Sequence, residues 1–461
     1  MTGILAFVFI LGAAVILHEF GHFIVAKLLG IRVETFSVGF GKRIWGRRWG
    51  TTDYRLSLIP LGGYVKLGGD DSNAGIEEGN AEEIPAGERF DLRPRWQKFL
   101  VGVAGPVMNV ITALAVPFAI ALIVGVAVMP PPVVKTVAAN SAAERAGIKT
   151  GDRIVSFNGE EGIDWERIQN NSLLSPDQPI PLEVERGGQR LQLTITPARR
   201  VEGGEAIGQL GILPDYGNVP VVVGYVEKGT PADEAGMKLG ERVVSIAGEP
   251  VTSGEQVREY IRSHTGEPIR IVLASADGAT REVVAQTRKL DDGSERLGFV
   301  PEQVPPMGRV GLVAAARHAV ARNVEMLRLT GKALGQVFSG QRSVRDTFSG
   351  PIGIANASKR AAEEGGWEGV FIMLGFLSLN LGIFNLLPIP VLDGGMIFML
   401  FLEGALGLVG KKLSMQVRER IQQVGFVFLL LLMGFVIIND VTKFAPGWFR
   451  SNDKPAETQT K

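Results

Sequence analysis

Two histidines four residues apart enclose a glutamate in AAVILHEFGHFIVAK, Ala13 to Lys27. On an α-helix that spacing puts His18 and His22 on one face. Both imidazoles can then reach a single zinc ion, with Glu19 beside it as general base for a bound water. Zinc lowers the pKa of water and polarises a scissile carbonyl, which peptide hydrolysis in or near lipid needs. The residues around the motif are those of a lipid-facing helix, where ionisable groups are expensive and functional by default. The chain has four histidines, and the other two, His264 and His318, read as surface residues in polar surroundings.

A catalytic zinc takes three protein ligands and keeps a fourth position open. The apolar segment NLGIFNLLPIPVLDGGMIF, Asn380 to Phe398, contains one acid, Asp393. Pro388 and Pro390 break the helix before it, freeing Asp393 to turn toward a partner. The competing reading is a plain turn, because Asp-Gly is a common turn dipeptide. Depth favours the ligand: at about 1.5 Å per residue, His18 and His22 fall in the inner half of one helix. Asp393 ends another helix that runs the same way.

The elements that must carry these residues follow from four apolar blocks: Ile4 to Leu29, Phe99 to Val128, Val370 to Leu387 and Val424 to Ile438. A bilayer takes about 20 apolar residues, so four transmembrane helices are expected. The first is no convincing cleavable leader, because Met-Thr-Gly lacks a positive charge and the apolar run is long. Lysines and arginines crowd between blocks one and two, from Lys27 to Lys98, and between blocks three and four, at Lys411, Lys412, Arg418 and Arg420. Positive loops mark the cytoplasmic side. Both termini and the stretch from about Pro130 to Gly366 are therefore expected outside, which in a bacterium with two membranes is the periplasm. Lys+Arg and Asp+Glu balance at 48 each, which gives no case for a nucleic-acid partner. With no cysteine, disulfides, thiolate metal sites and a cysteine nucleophile are excluded.

The outward stretch holds a duplication. SAAERAGIKTGDRIVSFNG from Ser141 aligns with TPADEAGMKLGERVVSIAG from Thr230, and Gly147/Gly236, Gly151/Gly240, Ser156/Ser245 and Gly159/Gly248 share an offset of 89. That period is a repeated small domain rather than a solenoid unit. Each copy reads as short helix, glycine turn and strand. The pattern resembles bacterial PDZ domains, and QLGI at Gln209 to Ile212 and RLGF at Arg296 to Phe299 resemble their carboxylate-binding loops. That likeness implies peptide C-termini as ligands, bound as an added strand; rigid spacers without a ligand are the alternative.

HEFGH in the first helix, NLLPIPVLDGG in the third, and two PDZ-like copies between resemble the site-2 protease family of intramembrane zinc metalloproteases over essentially the whole chain. The resemblance implies His18, His22 and Asp393 as zinc ligands, Glu19 as the base, and Asn385 as a residue that holds substrate near the metal. It also implies that the alternating segments around Gly39-Phe40-Gly41 and Gly62-Gly63 form a β hairpin dipping into the membrane. Such a hairpin would offer an edge strand to an unwound substrate helix. The stretch from Gly311 reads as an amphipathic helix on the outer surface. SGPIGIA at Ser349 resembles a family motif to which the sequence assigns no role.

The expected fold class is a polytopic α-helical membrane protein with four transmembrane helices, a membrane-associated β hairpin and two periplasmic PDZ domains of α+β type. The expected divisions are 1–30, the first transmembrane helix; 31–97, a cytoplasmic-side hairpin region; 98–130, the second helix; 131–218 and 219–305, the PDZ domains; and 306–366, an amphipathic segment. They continue with 367–395, the third helix; 396–422, a cytoplasmic loop; 423–442, the fourth helix; and 443–461, a periplasmic tail. The expected activity is zinc-dependent endopeptidase cleavage of single-pass proteins within the lipid bilayer of the bacterial inner membrane, with the active site toward the cytoplasmic side. By resemblance the substrates include an anti-sigma factor in the envelope stress response, with remnant signal peptides as a second class. The PDZ pair would filter out substrates with bulky outer domains. The rivals are a membrane-anchored PDZ scaffold without catalysis and an ion transporter; Glu19 speaks against the first, and the lack of acids in blocks two and four against the second.

Overall fold

The computed structural model describes residues 3–70, 84–202, 205–217, 219–275, 277–289, 295–303, 305–410 and 414–444. Lys411, Lys412 and residues 445–461, part of the expected inner loop and tail, lie outside the described residues. The chain divides into two compact units, one made of Met1–Ile123 with Val310–Lys461 and the other of Val124–Arg309.

In the first unit the apolar blocks become helices α1 (Gly3–Leu28) and α2 (Arg95–Ile123). These are followed by α3 (Leu312–Phe338), α4 (Pro351–Glu364), α5 (Gly366–Asn385), α6 (Asp393–Leu408) and α7 (Met415–Phe444). Among the described residues, α1, α2, α5 and α7 are long and apolar enough to cross a membrane. At 26 residues α1 spans about 39 Å, enough for a hydrocarbon core of about 30 Å. Between membrane helices, where apolar surface gains nothing over lipid, close approach at small residues holds the pair together. Gly21 of α1 accordingly lies so close to the Ala104 carbonyl of α2 that a Cβ there would overlap it.

Two expectations are corrected here. The stretch 396–422, read as a loop, is mostly helix: α6 begins at Asp393 and packs on α2, with the Phe99 and Phe401 rings 5.9 Å apart. Asp-Gly-Gly reads locally as a stop, and that hid the apolar run behind it. For the same reason the third membrane helix ends at Asn385 rather than at 395. The helix from Gly311 is present as α3, but its buried stripe is Ala315, Ala319 and Asn323 rather than its large apolar residues. Asn323 Nδ2 donates to the Ala113 carbonyl of α2 at 2.9 Å, while Leu312, Val313 and Val320 stay uncovered.

Two long strands connect α1 and α2: β1 (Val33–Trp49) and β2 (Thr52–Leu67). Each bends and pairs with the other twice, so the hairpin forms four runs in the order 63–67, 33–38, 52–57, 43–49; the two outer pairings are antiparallel, and in the middle one Thr35 to Val38 runs alongside Asp53 to Leu56 in the same direction. Phe36 and Tyr54 lie on one face and pack on Phe23 of α1, with ring centroids 5.2 and 5.9 Å away. Ser37 and Ser57 hydrogen-bond at 3.0 Å, and Arg55 donates to Thr35 Oγ1 at 3.1 Å. Aromatic residues dock the sheet along the membrane helix, and small polar pairs satisfy one another away from it.

The second unit contains the duplication as two α+β copies with separate cores, one around Phe157, Ile168 and Val184 and the other around Ile246, Val257 and Ile271. In each, a short helix (Ala142–Arg145, Pro231–Glu234) precedes a central strand (Arg153–Phe157, Arg242–Ile246). A longer helix follows (Trp165–Leu173, Gly254–Ser263). The same ion pair recurs in both. Arg186 Nε donates to the buried Asp152 carboxylate at 2.7 Å and Arg281 Nε to Glu241 at 2.9 Å, and each guanidinium also bonds the glycine carbonyl of the preceding turn, at Gly147 and Gly236. Arg186 ends the strand Ile180–Arg186, whereas Arg281 opens the hairpin's second strand, Thr280–Gln286. The second copy therefore rebuilds the pair from a different strand.

Burial pushes the Asp152 carboxyl up, but Arg186 and the Lys149 N–H outweigh it and hold it below the usual carboxylate range. Arg281, with the Lys238 N–H, holds Glu241 low against its desolvation. A carboxyl depressed in the folded state stabilises it fully above the unfolded pKa of about 4, and that stability is lost as pH falls through the lower folded value. Hydrogen exchange in the full chain, corrected for intrinsic rates, is therefore expected to show both central strands losing protection on acidification below about pH 4. Arg186→Gln leaves a buried carboxylate short of donors, which costs at least about 1–3 kcal/mol. It should deprotect residues 153–157 at neutral pH and leave 242–246 unchanged; equal protection in variant and parent would remove the ion pair from the account.

Candidate metal centre

Helix α1 presents His18 and His22 on adjoining turns, with ring centroids 4.9 Å apart. From the other end of the sequence, Asp393 enters as the first residue of α6. Its Oδ2 lies 3.0 Å from His18 Nε2 and its Oδ1 3.4 Å from His22 Nε2, and the two Nε2 atoms are 3.2 Å apart. One ligand atom from each of the three falls within 4.8 Å of the others. His18 is buried.

The backbone before Asp393 explains why it points there. Helix α5 stops at Asn385, and the chain turns back through Leu386–Leu392, with Val391 held at φ 89°. Positive φ at a β-branched residue is strained and persists only where its surroundings impose it. The turn folds over the start of α6 so closely that a Cβ at Gly394 would overlap the Leu386 and Leu387 carbonyls. The two glycines after Asp393 thus allow the prolyl loop and the helix start to share one place, which aims the carboxylate at α1.

The opposite nitrogens of the histidines are engaged by α2. His22 Nδ1 lies 2.7 Å from the Val101 carbonyl and donates to it, which leaves Nε2 as an acceptor. Asn109, fully buried, places its side-chain amide 3.1 Å from His18 Nδ1. An imidazole that offers Nε2 carries its proton on Nδ1, so in that tautomer the amide oxygen faces Nδ1 and the amide NH2 faces Ser378 Oγ. The Ser378 hydroxyl in turn donates to the Asn109 backbone carbonyl at 3.1 Å.

In this tautomer two imidazole lone pairs and a carboxylate converge with no donor among them. Such a cluster of acceptors repels itself unless a cation sits between them. The donor set, two nitrogens and one carboxylate oxygen, is one that zinc takes in hydrolases. Gly105 of α2 borders the cluster, and a Cβ there would overlap His22 Nε2 and stand 2.7 Å from the His18 ring. The space beside the nitrogens is kept open by sequence.

Glu19 is adjacent but stands outside this group. Its Oε2 accepts the Val65 N–H of β2 at 3.1 Å. Val65 pairs with Phe36 on one side, so the other edge of the 63–67 run faces the Glu19 carboxylate. Asn385 Nδ2 lies 3.3 Å from His18 Nε2. All five residues singled out from the sequence therefore meet in one place. Sequence reasoning missed Asn109, Ser378, the Val101 carbonyl and Gly105. The available signal was Asn109 itself, an amide in an otherwise apolar helix, where polar residues bond across to neighbours.

Comparison with known proteins concerns the chain as a whole. The family model described as Peptidase family M50 matches residues 6–432. A putative zinc metalloprotease of Neisseria meningitidis is 33% identical, over 96% of this chain and 99% of that protein. Proteins named regulator of sigma-E protease are similar too: that of Salmonella typhimurium is 32% identical and that of Escherichia coli 30%, each over 95% of this chain and 98% of its own length. The PDZ domain of an SdrC-like protein from Listeria monocytogenes is similar to 18% of this chain and 87% of its own, at 19% identity and a TM-score of 0.17. The chain belongs to peptidase family M50, the site-2 proteases, and is a zinc metalloendopeptidase.

Proposed function

We propose that this enzyme cleaves single-pass membrane proteins within the bilayer, with zinc held by His18, His22 and Asp393. Zinc bound there supplies a Lewis acid that polarises the scissile carbonyl and makes water acidic enough to attack at neutral pH. Glu19 takes the proton from the attacking water and returns it to the leaving amine. The Val65 N–H holds the Glu19 carboxylate in place for that transfer. The outer edge of residues 63–67 pairs with the unwound substrate backbone, and Asn385 holds that backbone beside His18. The observation that carries this reading is the convergence of the three donors beside a carboxylate anchored to a strand edge.

The proposed setting, supported by the loop charges, is a bacterial inner membrane, with both termini and the stretch from about Pro130 to Gly366 periplasmic and the zinc toward the cytoplasm. The substrate class is the anti-sigma factor type already trimmed outside, with remnant signal peptides as a second class. The duplicated copies act as PDZ domains that filter substrates by the size of their outer parts. Filtering by size is favoured over peptide capture in the second copy. There Arg258 donates to the Pro301 carbonyl at 3.1 Å, on the edge strand Phe299–Gln303 that an added peptide would use.

Glu19→Gln is expected to retain zinc and lose about 10²–10⁴-fold in rate, read as metal content and product on one purified sample. Near-normal cleavage with zinc present would mean that another group activates the water. Asn109→Ala should weaken zinc retention against a chelator by about 10–100-fold, as loss of a ligand-orienting partner does; unchanged retention would show that His18 needs no such support. Deleting residues 134–301 should spare cleavage of a trimmed substrate and admit untrimmed ones. If the deletion abolishes all cleavage while the zinc stays bound, the filter reading is wrong.

A further inference from the structure

Helix α7 begins where the sequence gathers positive charge. Its membrane-crossing stretch, Gln416–Lys443, has 28 residues, about 42 Å of helix against a hydrocarbon core of about 30 Å. About four residues at each end therefore overhang the core, which puts Arg420 at its boundary. Arg418, on another face, is engaged by Glu403 of α6 at 3.5 Å. Arg420 is exposed, and among the described residues no carboxylate pairs with it. It stands at one end of an apolar groove of about 450 Å³ and is the one charged residue of the lining. One wall is the Pro388–Pro390 loop; the other is a stripe of α7, Val417, Ile421, Val424 and Phe428, at helical spacing. Gly425 lets α7 touch Pro390, because a Cβ there would overlap the proline ring. The groove is charged at headgroup depth and apolar below it.

The dimensions select the occupant. From Val417 to Phe428 the helix rises about 16 Å, close to half of the hydrocarbon core and so to one leaflet. Spread over that length, about 450 Å³ leaves a cross-section of about 30 Å². A helix about 10–12 Å across needs about three times as much. An extended hydrocarbon chain, whose carbons touch their neighbours at about 3.5–4.0 Å, fits that width. A groove one leaflet long, one hydrocarbon chain wide and ended by an unpaired guanidinium is complementary to a lipid that carries negative charge.

We propose that this groove binds one anionic phospholipid of the leaflet in which α7 starts, with an acyl chain between α7 and the Pro388–Pro390 loop and the headgroup phosphate on Arg420. On the orientation proposed above that leaflet is the cytoplasmic one, whose surface is negative. The planar guanidinium takes two phosphate oxygens at once. A zwitterionic headgroup brings its own cation beside Arg420, and an anionic one does not. The bound chain lies against the loop that joins Asn385 to Asp393, so the lipid is a neighbour of the metal centre without touching it.

The test uses the full chain in phosphatidylcholine vesicles that carry a tracer of phosphatidylglycerol or of phosphatidylcholine, each with a photoreactive diazirine midway along one acyl chain. Adducts are mapped by mass spectrometry. Phosphatidylglycerol should label Val424, Phe428 and the Pro388–Pro390 loop at least about fivefold more than phosphatidylcholine does. Phe426 and Met433, exposed on the opposite face of α7, should take both lipids equally. Arg420→Gln should remove the preference, and Arg47→Gln, at an exposed cation of the hairpin, should keep it. Equal labelling of the groove by the two lipids, or a preference that survives Arg420→Gln, would overturn the proposal and leave ordinary boundary lipid. A groove that takes no lipid but is labelled from the membrane segment of a single-pass substrate, or from a second copy of the chain, would overturn it too. Both leaflets carry the tracer, so a wrong orientation would change the leaflet named and not the labelling.

Discussion

Two imidazole nitrogens and a carboxylate brought within 4.8 Å of one another inside an apolar bundle repel one another unless a positive charge, a metal ion or a proton, lies between them. The rest of the membrane unit follows from that constraint. Lipid offers no water to fill a misplaced coordination site or to satisfy a wrongly turned imidazole. The protein therefore fixes each histidine at its far nitrogen, His22 by the Val101 carbonyl and His18 by Asn109, both on α2. It then carries Asp393 in on a separate helix whose start is buried beneath a strained prolyl turn. Helix α2 supplies none of the three converging donors; its part is to engage the far nitrogen of each histidine.

Glu19, the proposed base, is governed differently. It is next to His18 in sequence but is tethered to β2 through the Val65 N–H, so the proposed base and the strand edge proposed to receive substrate share one hydrogen bond. On that proposal, strand pairing at the edge and proton transfer at Glu19 would be set by the same backbone. The four runs of the hairpin satisfy one another, and their aromatic face docks on Phe23 of α1.

Most of the metal centre is legible in the sequence because its chemistry is local. HEFGH declares its own geometry at helical spacing, and Asp393 stands out as the one acid in an apolar run. What escaped depends on partners far away in the chain. Asn109 and Ser378 are ordinary residues until α2 and α5 are placed side by side. Helix α6 was hidden because Asp-Gly-Gly looks like a stop, although those glycines are there to let the turn and the helix start overlap. Asp440 falls just outside an apolar block, and SGPIGIA is legible only once α7 is beside it, where the Asp440 carboxylate accepts the N–H groups of Gly350, Ile352 and Gly353. The duplication was plain from its offset, whereas the moved arginine, Arg186 in one copy and Arg281 in the other, shows the same buried pair kept by a different strand.

The central claim is that the metal is held by two imidazoles and one carboxylate drawn from both ends of the chain. X-ray absorption at the zinc edge of the purified protein tests it directly. The account predicts one zinc per chain with two imidazole scattering shells, nitrogen and oxygen ligands at about 2.0–2.2 Å, and one light ligand fewer in Asp393→Ala. A single imidazole in the parent spectrum, or a first shell unchanged by Asp393→Ala, would contradict it.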